Sequence, residues 1–183
     1  MATATQQVTV EEFDRLAEQP ENAARRLEYI GGDVVEVVSN NYASVIANKI
    51  SFYIQLFLIQ HNIEGYVTGA DGGYQIGRQR YIPDAAYISK ARQPHPSHDA
   101  YNPNPPELAV EVLSPTDSPA QLRFKIASYL AVGTLVWVIN PEEKHVEIYT
   151  PGEHPVRVDE EGRLDGANVL PGFTLAVKDI FPD

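Results

Sequence analysis

Cysteine is absent from the 183 residues, and methionine and tryptophan each occur once. Disulfides, thiolate zinc sites and cysteine nucleophiles are therefore excluded, and the absence of thiols fits a reducing compartment. Other signatures are missing too. No Gly-x-Ser-x-Gly elbow is present. The glycine-rich piece at 69–73 is followed by neither a helix pattern nor Gly-Lys-Ser/Thr, so it reads as turns rather than a phosphate loop. Residues 1–7 have no basic start and no apolar stretch, so no signal peptide is expected. The most apolar run, Ile50 to Ile59, is too short to span a bilayer. The sequence thus predicts a soluble, cytoplasmic protein with no membrane partner. Positive charge is also scarce: 14 basic against 25 acidic residues leave a net charge of −11. A protein that grips nucleic acid by bulk charge needs basic patches, which this balance disfavours.

What is present is ordinary globular material, 43% hydrophobic and 21% charged. The length suits one domain over 1–183, long enough to bury a core without staples. The acid excess is uneven. Residues 1–79 carry 5 basic and 10 acidic side chains, residues 126–183 carry 4 and 10, and residues 80–125 carry 5 of each. A local anion site in that neutral middle is compatible with the charge, above all with a metal as bridge.

Along the chain, Thr9-Val10-Glu11-Glu12 reads as a capping box opening a helix to about Glu18. Arg26–Ile30 and Asp33–Val38 flank Gly31-Gly32 and predict a hairpin. Helical spacing of Val45, Ile46, Ile50, Tyr53, Ile54, Phe57 and Leu58 predicts a long helix from Asn40-Asn41 to about His61, its stripe packed on a core. Strands follow at Gly65–Thr68, Gly73–Ile76 and Asp84–Ser89. Five prolines make 91–106 a surface loop. Glu107–Leu113 fits a buried strand. Ser118-Pro119-Ala120-Gln121 caps a helix that Gly133 stops. Strands at Thr134–Ile139 and Lys144–Thr150 pair across Asn140–Glu143, and short strands and turns fill the tail. The order predicts an α/β layered domain, a mixed sheet with a helix crossover.

Chemistry concentrates at Asp84, Glu111 and Lys125. Glu111 sits in a strand that is otherwise apolar, where a carboxylate is costly unless paired or bound to a cation. Strand alternation puts Glu107, Ala109, Glu111 and Leu113 on one face. Lys125 falls at the edge of its helix's apolar stripe, one turn before Tyr129. Two carboxylates and a lysine suit Mg²⁺ or Mn²⁺ and a phosphate. The competing account is a structural ion pair between Glu111 and Lys125, with Asp84 in a turn. His95 and His98 lie three apart in the proline-rich loop and read as solvated; His61, His145 and His154 read as isolated surface residues.

These residues carry a resemblance. Pro83-Asp84, Glu111-Val112-Leu113 and Lys125 resemble a variant of the PD-(D/E)XK nuclease superfamily, and more closely the bacterial Uma-two family of restriction-endonuclease-like proteins. Leu27-Glu28-Tyr29-Ile30-Gly31-Gly32-Asp33, Ser114-Pro115, Lys125-x-x-x-Tyr129, Gly133 and Val136-Trp137-Val138-Ile139-Asn140-Pro141 extend the match over roughly residues 9–180. The resemblance implies a restriction-endonuclease-like fold, a central mixed β-sheet flanked by α-helices. It implies a Mg²⁺- or Mn²⁺-dependent endonuclease hydrolysing DNA, with Asp84 and Glu111 as metal ligands and Lys125 assisting water activation or charge stabilisation. It further suggests Glu28 beside the metal and the backbone carbonyl of Val112 as a ligand; otherwise Glu28 is a strand-edge surface charge. The usual motif has lysine two residues after the second acid. That position is Leu113 here, so the role moves to Lys125, with Lys90 and Arg123 next in line. A homodimer is expected, because cutting a duplex needs a site for each strand. The alternative, favoured by the charge of −11, is a non-catalytic binding or assembly module on the same fold.

Overall fold

The computed structural model describes residues 7–182; the N-terminal stretch read for a signal sequence lies, apart from Gln7, outside them. The chain opens with α1 (Val10–Ala17), β1 (Leu27–Ile30), β2 (Asp33–Glu36) and α2 (Asn41–His61). Then come β3 (Gly65–Gly69), β4 (Gly73–Ile76), β5 (Gln79–Tyr81), β6 (Ala85–Ser89), β7 (Tyr101–Asn102) and β8 (Leu108–Val112). The last part is α3 (Pro119–Ala131), β9 (Leu135–Asn140), β10 (His145–Tyr149), β11 (Val156–Asp159), β12 (Arg163–Asp165) and β13 (Thr174–Ala176).

Local chemistry accounts for the element ends. Thr9 and Glu12 form both halves of the capping box, at 2.7 and 3.2 Å. At α3 only half of the expected box forms: the Ser118 hydroxyl accepts the Gln121 N–H, and the helix begins on Pro119. Gly31 and Gly32 turn the β1–β2 hairpin with φ of +61° and +105°, a backbone that a side chain would strain.

The sheet is divided. A six-stranded mixed sheet runs β11-β10-β9-β8-β6-β3, and a five-stranded one runs β2-β1-β5-β4-β7. The sequence reading anticipated one central sheet. The second arises because β5 and β7, three and two residues long, are too short to show a period in sequence, yet β5 joins the first hairpin to β4 and β7 extends the far edge of β4. The proline-rich loop therefore contributes more than surface: Asn102 and Gln93 are buried and hydrogen-bonded at 2.6 Å. In the large sheet β8 pairs parallel with β9 through the α3 crossover and antiparallel with β6.

Period-two alternation sorts β8 onto two cores. Leu108, Val110 and Val112 face α2 together with Trp137 and Ile139; Ala109 faces α3 with Ile126 and Tyr129, and the β4–β5 tyrosines Tyr74 and Tyr81 close that side. Helix α2 is long and apolar enough to cross a membrane by length and composition, longer than the Ile50–Ile59 run suggested. Here it lies on the sheet, with Ile46, Ile50 and Ile54 fully buried. His145 corrects the sequence reading: it is buried at the start of β10, 3.4 Å from Glu143, because β10 packs between β9 and β11. His61, His95, His98 and His154 are exposed as expected.

Candidate active site

The parallel β8–β9 pair and the crossover helix set the geometry. Glu111 stands on the α3 side of β8, in a strand whose five residues are all buried. On α3, Lys125 and Tyr129 are one turn apart and face it. The Lys125 ammonium lies 2.7 Å from Glu111 Oε2, and the Tyr129 hydroxyl donates to Glu111 Oε1 at 2.9 Å. From the small sheet, Glu28 on β1 reaches the same ammonium with both oxygens, at 3.0 and 3.2 Å. Glu28 Oε1 also accepts the Ile82 N–H at 2.6 Å. These charged side chains are almost closed to solvent: Glu28 is 4% exposed, Glu111 8% and Lys125 7%. The reading of Glu28 as a strand-edge surface charge is thereby overturned; all of β1 is buried between α1 and α3.

Asp84 follows Ile82-Pro83 into β6. Extending the Ala85↔Val110 pairing by one residue puts it opposite Glu111. Its Oδ2 accepts the Val112 N–H at 2.7 Å, and it is partly open to solvent. Asp84, Glu111, Val112, Lys125 and Glu28 border one cleft of about 210 Å³, walled also by Gln121 and the 114–118 loop. Lys90 instead pairs with Glu64 at the surface, and Arg123 is exposed, so neither joins the site.

The electrostatics are unbalanced. Three carboxylates meet one ammonium, and Asp117 adds negative potential at Asp84. Burial, reinforced by Glu28 and Asp84 and opposed by Lys125, pushes the Glu111 carboxyl up to about 7. Burial also raises Asp84, against the pull of the Val112 N–H. Burial lowers the Lys125 ammonium, but Glu111 and Glu28 together outweigh that and leave it above the ordinary lysine value. Tyr129 is raised by burial and by Glu111 and stays a hydrogen-bond donor.

The donor set suits a hard divalent cation. It is all oxygen, carries surplus buried negative charge, and includes a solvent-facing carboxylate in Asp84. Among the described residues, however, no three His, Asp or Glu side chains converge as a ready-made cage. Glu28 is committed to Lys125 and Ile82. The set that remains for a cation is Asp84, Glu111 and the Val112 carbonyl, with water completing the shell, as Mg²⁺ prefers.

Sequence reasoning did not single out Tyr129, Tyr81 or the Ile82 N–H as parts of the site. The Tyr81 ring centroid lies 5.4 Å from the Lys125 ammonium, and the Tyr81 hydroxyl donates to Ser128 at 3.1 Å. The four-residue spacing of Lys125 and Tyr129 was the available signal for the first. Nothing local marks the other two.

Residues 10–178 match the Uma2 family model, described as "Putative restriction endonuclease". A crystal structure described as "a putative nuclease belonging to DUF820 from Anabaena variabilis ATCC 29413" shares the fold, with TM-score 0.81 and 22% identity over 95% of this chain and 97% of that one. No curated protein matches the chain.

Proposed function

The chain belongs to the Uma2 family, and from that premise we propose that it is a divalent-metal-dependent endonuclease that hydrolyses phosphodiester bonds of DNA. The observation that carries this reading is the charge surplus at Glu111: an acid in a fully buried strand, beside Asp84 and Glu28, with Lys125 alone among the described residues to balance all three. One acid would be enough to pair the lysine, and the further carboxylates beside it favour an added cation. Asp84, Glu111 and the Val112 carbonyl would hold Mg²⁺ or Mn²⁺. Bound there, the ion would polarise a phosphoryl oxygen and make its water more acidic.

The chain's own residues supply the rest. Tyr129 fixes the Glu111 carboxylate by donating to Oε1. The Val112 N–H fixes Asp84. The ammonium of Lys125, a residue 7% exposed, stabilises negative charge developing on the phosphate or orients the attacking water. Domain unity over 1–183, a cytoplasmic location and a homodimer belong to the same proposal. The outer side of α2 suits a two-fold contact. Phe52 and Ile59 are 57% and 74% exposed, and the helix contains no Asp or Glu. A contact through this helix brings none of its own acidic side chains together between two chains of charge −11.

Cleavage of supercoiled plasmid with Mg²⁺ and with Mn²⁺, in the parent and in Glu111→Gln, tests the reading. Nicking or linearisation by the parent that is abolished by EDTA and by the substitution is expected. Cleavage by neither overturns it in favour of a non-catalytic module, and equal cleavage by both overturns the site assignment at Glu111.

A further inference from the structure

We propose that Glu28 is a positioning residue, the seat that keeps the Lys125 ammonium in the site when a cation takes Glu111, and not itself a ligand of that cation. The inference rests on the metal-site reading above and assigns a role to one of its neighbours.

Both oxygens of Glu111 are already engaged. Oε1 accepts from Tyr129 at 2.9 Å and Oε2 from Lys125 at 2.7 Å. Each oxygen keeps a free lone pair, so a cation can bind without evicting a donor, but at Oε2 it would lie beside the like-charged Lys125 ammonium and repel it. Tyr129 has Glu111 as its hydrogen-bonding partner, so leaving would strand a buried hydroxyl. Lys125 has somewhere to go: two of its contacts, at 3.0 and 3.2 Å, are to Glu28. Lys125 therefore yields Oε2 and stays on Glu28.

Glu28 is built to receive it. The Ile82 N–H donates to its Oε1 at 2.6 Å and the Lys125 ammonium binds both of its oxygens, so a swing toward Asp84 would break these bonds in a residue only 4% exposed. The same N–H ties Glu28 to the Ile82-Pro83-Asp84 segment, so the seat of the lysine and the approach of Asp84 are fixed by one carboxylate. Tyr81 provides a floor, its ring centroid 5.4 Å from the ammonium. An ammonium without this seat, repelled by a cation on Glu111, would leave its place in the site for water.

Crystals of the full chain soaked in Mn²⁺, with anomalous maps, test this together with Glu28→Gln, which keeps the acceptor for Ile82 but removes the charge. In the parent, the expected Mn²⁺ peak lies on Asp84 and Glu111, with the Glu28 oxygens well outside the ~2.0–2.2 Å of a direct bond and still within hydrogen-bond distance of Lys125. In Glu28→Gln the peak remains, Lys125 leaves its position, and cleavage at saturating Mn²⁺ falls at least tenfold. A Glu28 oxygen bonded to Mn²⁺ in the parent, or a peak lost in Glu28→Gln, overturns the inference and makes Glu28 a ligand. So does Lys125 unmoved with cleavage unchanged. Should Glu28→Gln fail to fold, the parent distances decide alone. A parent with no peak on Asp84 and Glu111 removes the metal-site reading itself, an outcome distinct from Mn²⁺ bound to Glu28.

Discussion

Raising the pH should weaken the metal-free protein, and Glu111→Gln should remove most of that weakness. The Glu111 carboxyl is pushed up to about 7 from an ordinary 4.5, by burial first and by Glu28 and Asp84 after it. An acid whose folded-state pKa lies above its unfolded one binds its proton more tightly when folded. Between about pH 4.5 and 7 the folded chain thus holds more protons than the unfolded chain, and stability falls as pH rises through that window. A gap of about 2.5 pK units, at about 1.36 kcal/mol each, gives roughly 3 kcal/mol. For a chain of this length that is roughly 6–12 °C in Tm. Asp84, raised in the same direction, adds to the slope. Melting in EDTA at pH 4.5 and pH 8, as the difference between parent and Glu111→Gln, cancels every titration the two proteins share. At pH 8, Mn²⁺ at about 100 times its Kd should restore roughly 2.7 kcal/mol to the parent and nothing to Glu111→Gln or Asp84→Asn. The same pH slope in parent and Glu111→Gln would refute the reasoning, since Glu111 would then be fully ionised by its lysine. An equal Mn²⁺ gain in all three proteins would move the metal elsewhere, with His95 and His98 the first place to look.

Lys125→Met should lower metal-dependent cleavage by at least tenfold in a plasmid assay. It should also destabilise by about 3–5 kcal/mol in urea, because it leaves Glu28 and Glu111 buried without their cation. Tyr129→Phe removes the donor to Glu111 Oε1 and should cost about 1–3 kcal/mol, read in the same titration; no change would mean water replaces the phenol. Sedimentation at micromolar concentration should show a dimer that Ile59→Glu or Phe52→Glu reduces to monomer; a monomeric parent would refute the α2 contact.

Legibility in the sequence followed the range of the interactions. The capping box at Thr9, the Gly31-Gly32 hairpin and the α2 stripe are encoded within a few residues, and each appears where the pattern puts it. Glu111 was visible as a charge in an apolar strand, and Lys125 as a charge beside a helix stripe. Glu28 was visible only through resemblance, because its burial depends on α3, about a hundred positions later in the chain. The second sheet was hidden for the same reason: Tyr29 pairs with Arg80 through strands of four and three residues. His145 looked solvated because the strand that covers it, β11, has an unremarkable sequence and three of its four residues are exposed.

The separation of 97 positions from Glu28 to Lys125 also bears on how the chain is made. During synthesis, Glu28, Asp84 and Glu111 all leave the ribosome before the helix that bears Lys125. For that interval the acids have no ammonium among them, and β8 has no parallel neighbour to shield Glu111. A nascent or prematurely terminated chain therefore carries an unassembled site, and proteolytic fragments ending before α3 inherit the same defect. Whatever the finished molecule cuts, its own half-made copies are poorly equipped to cut.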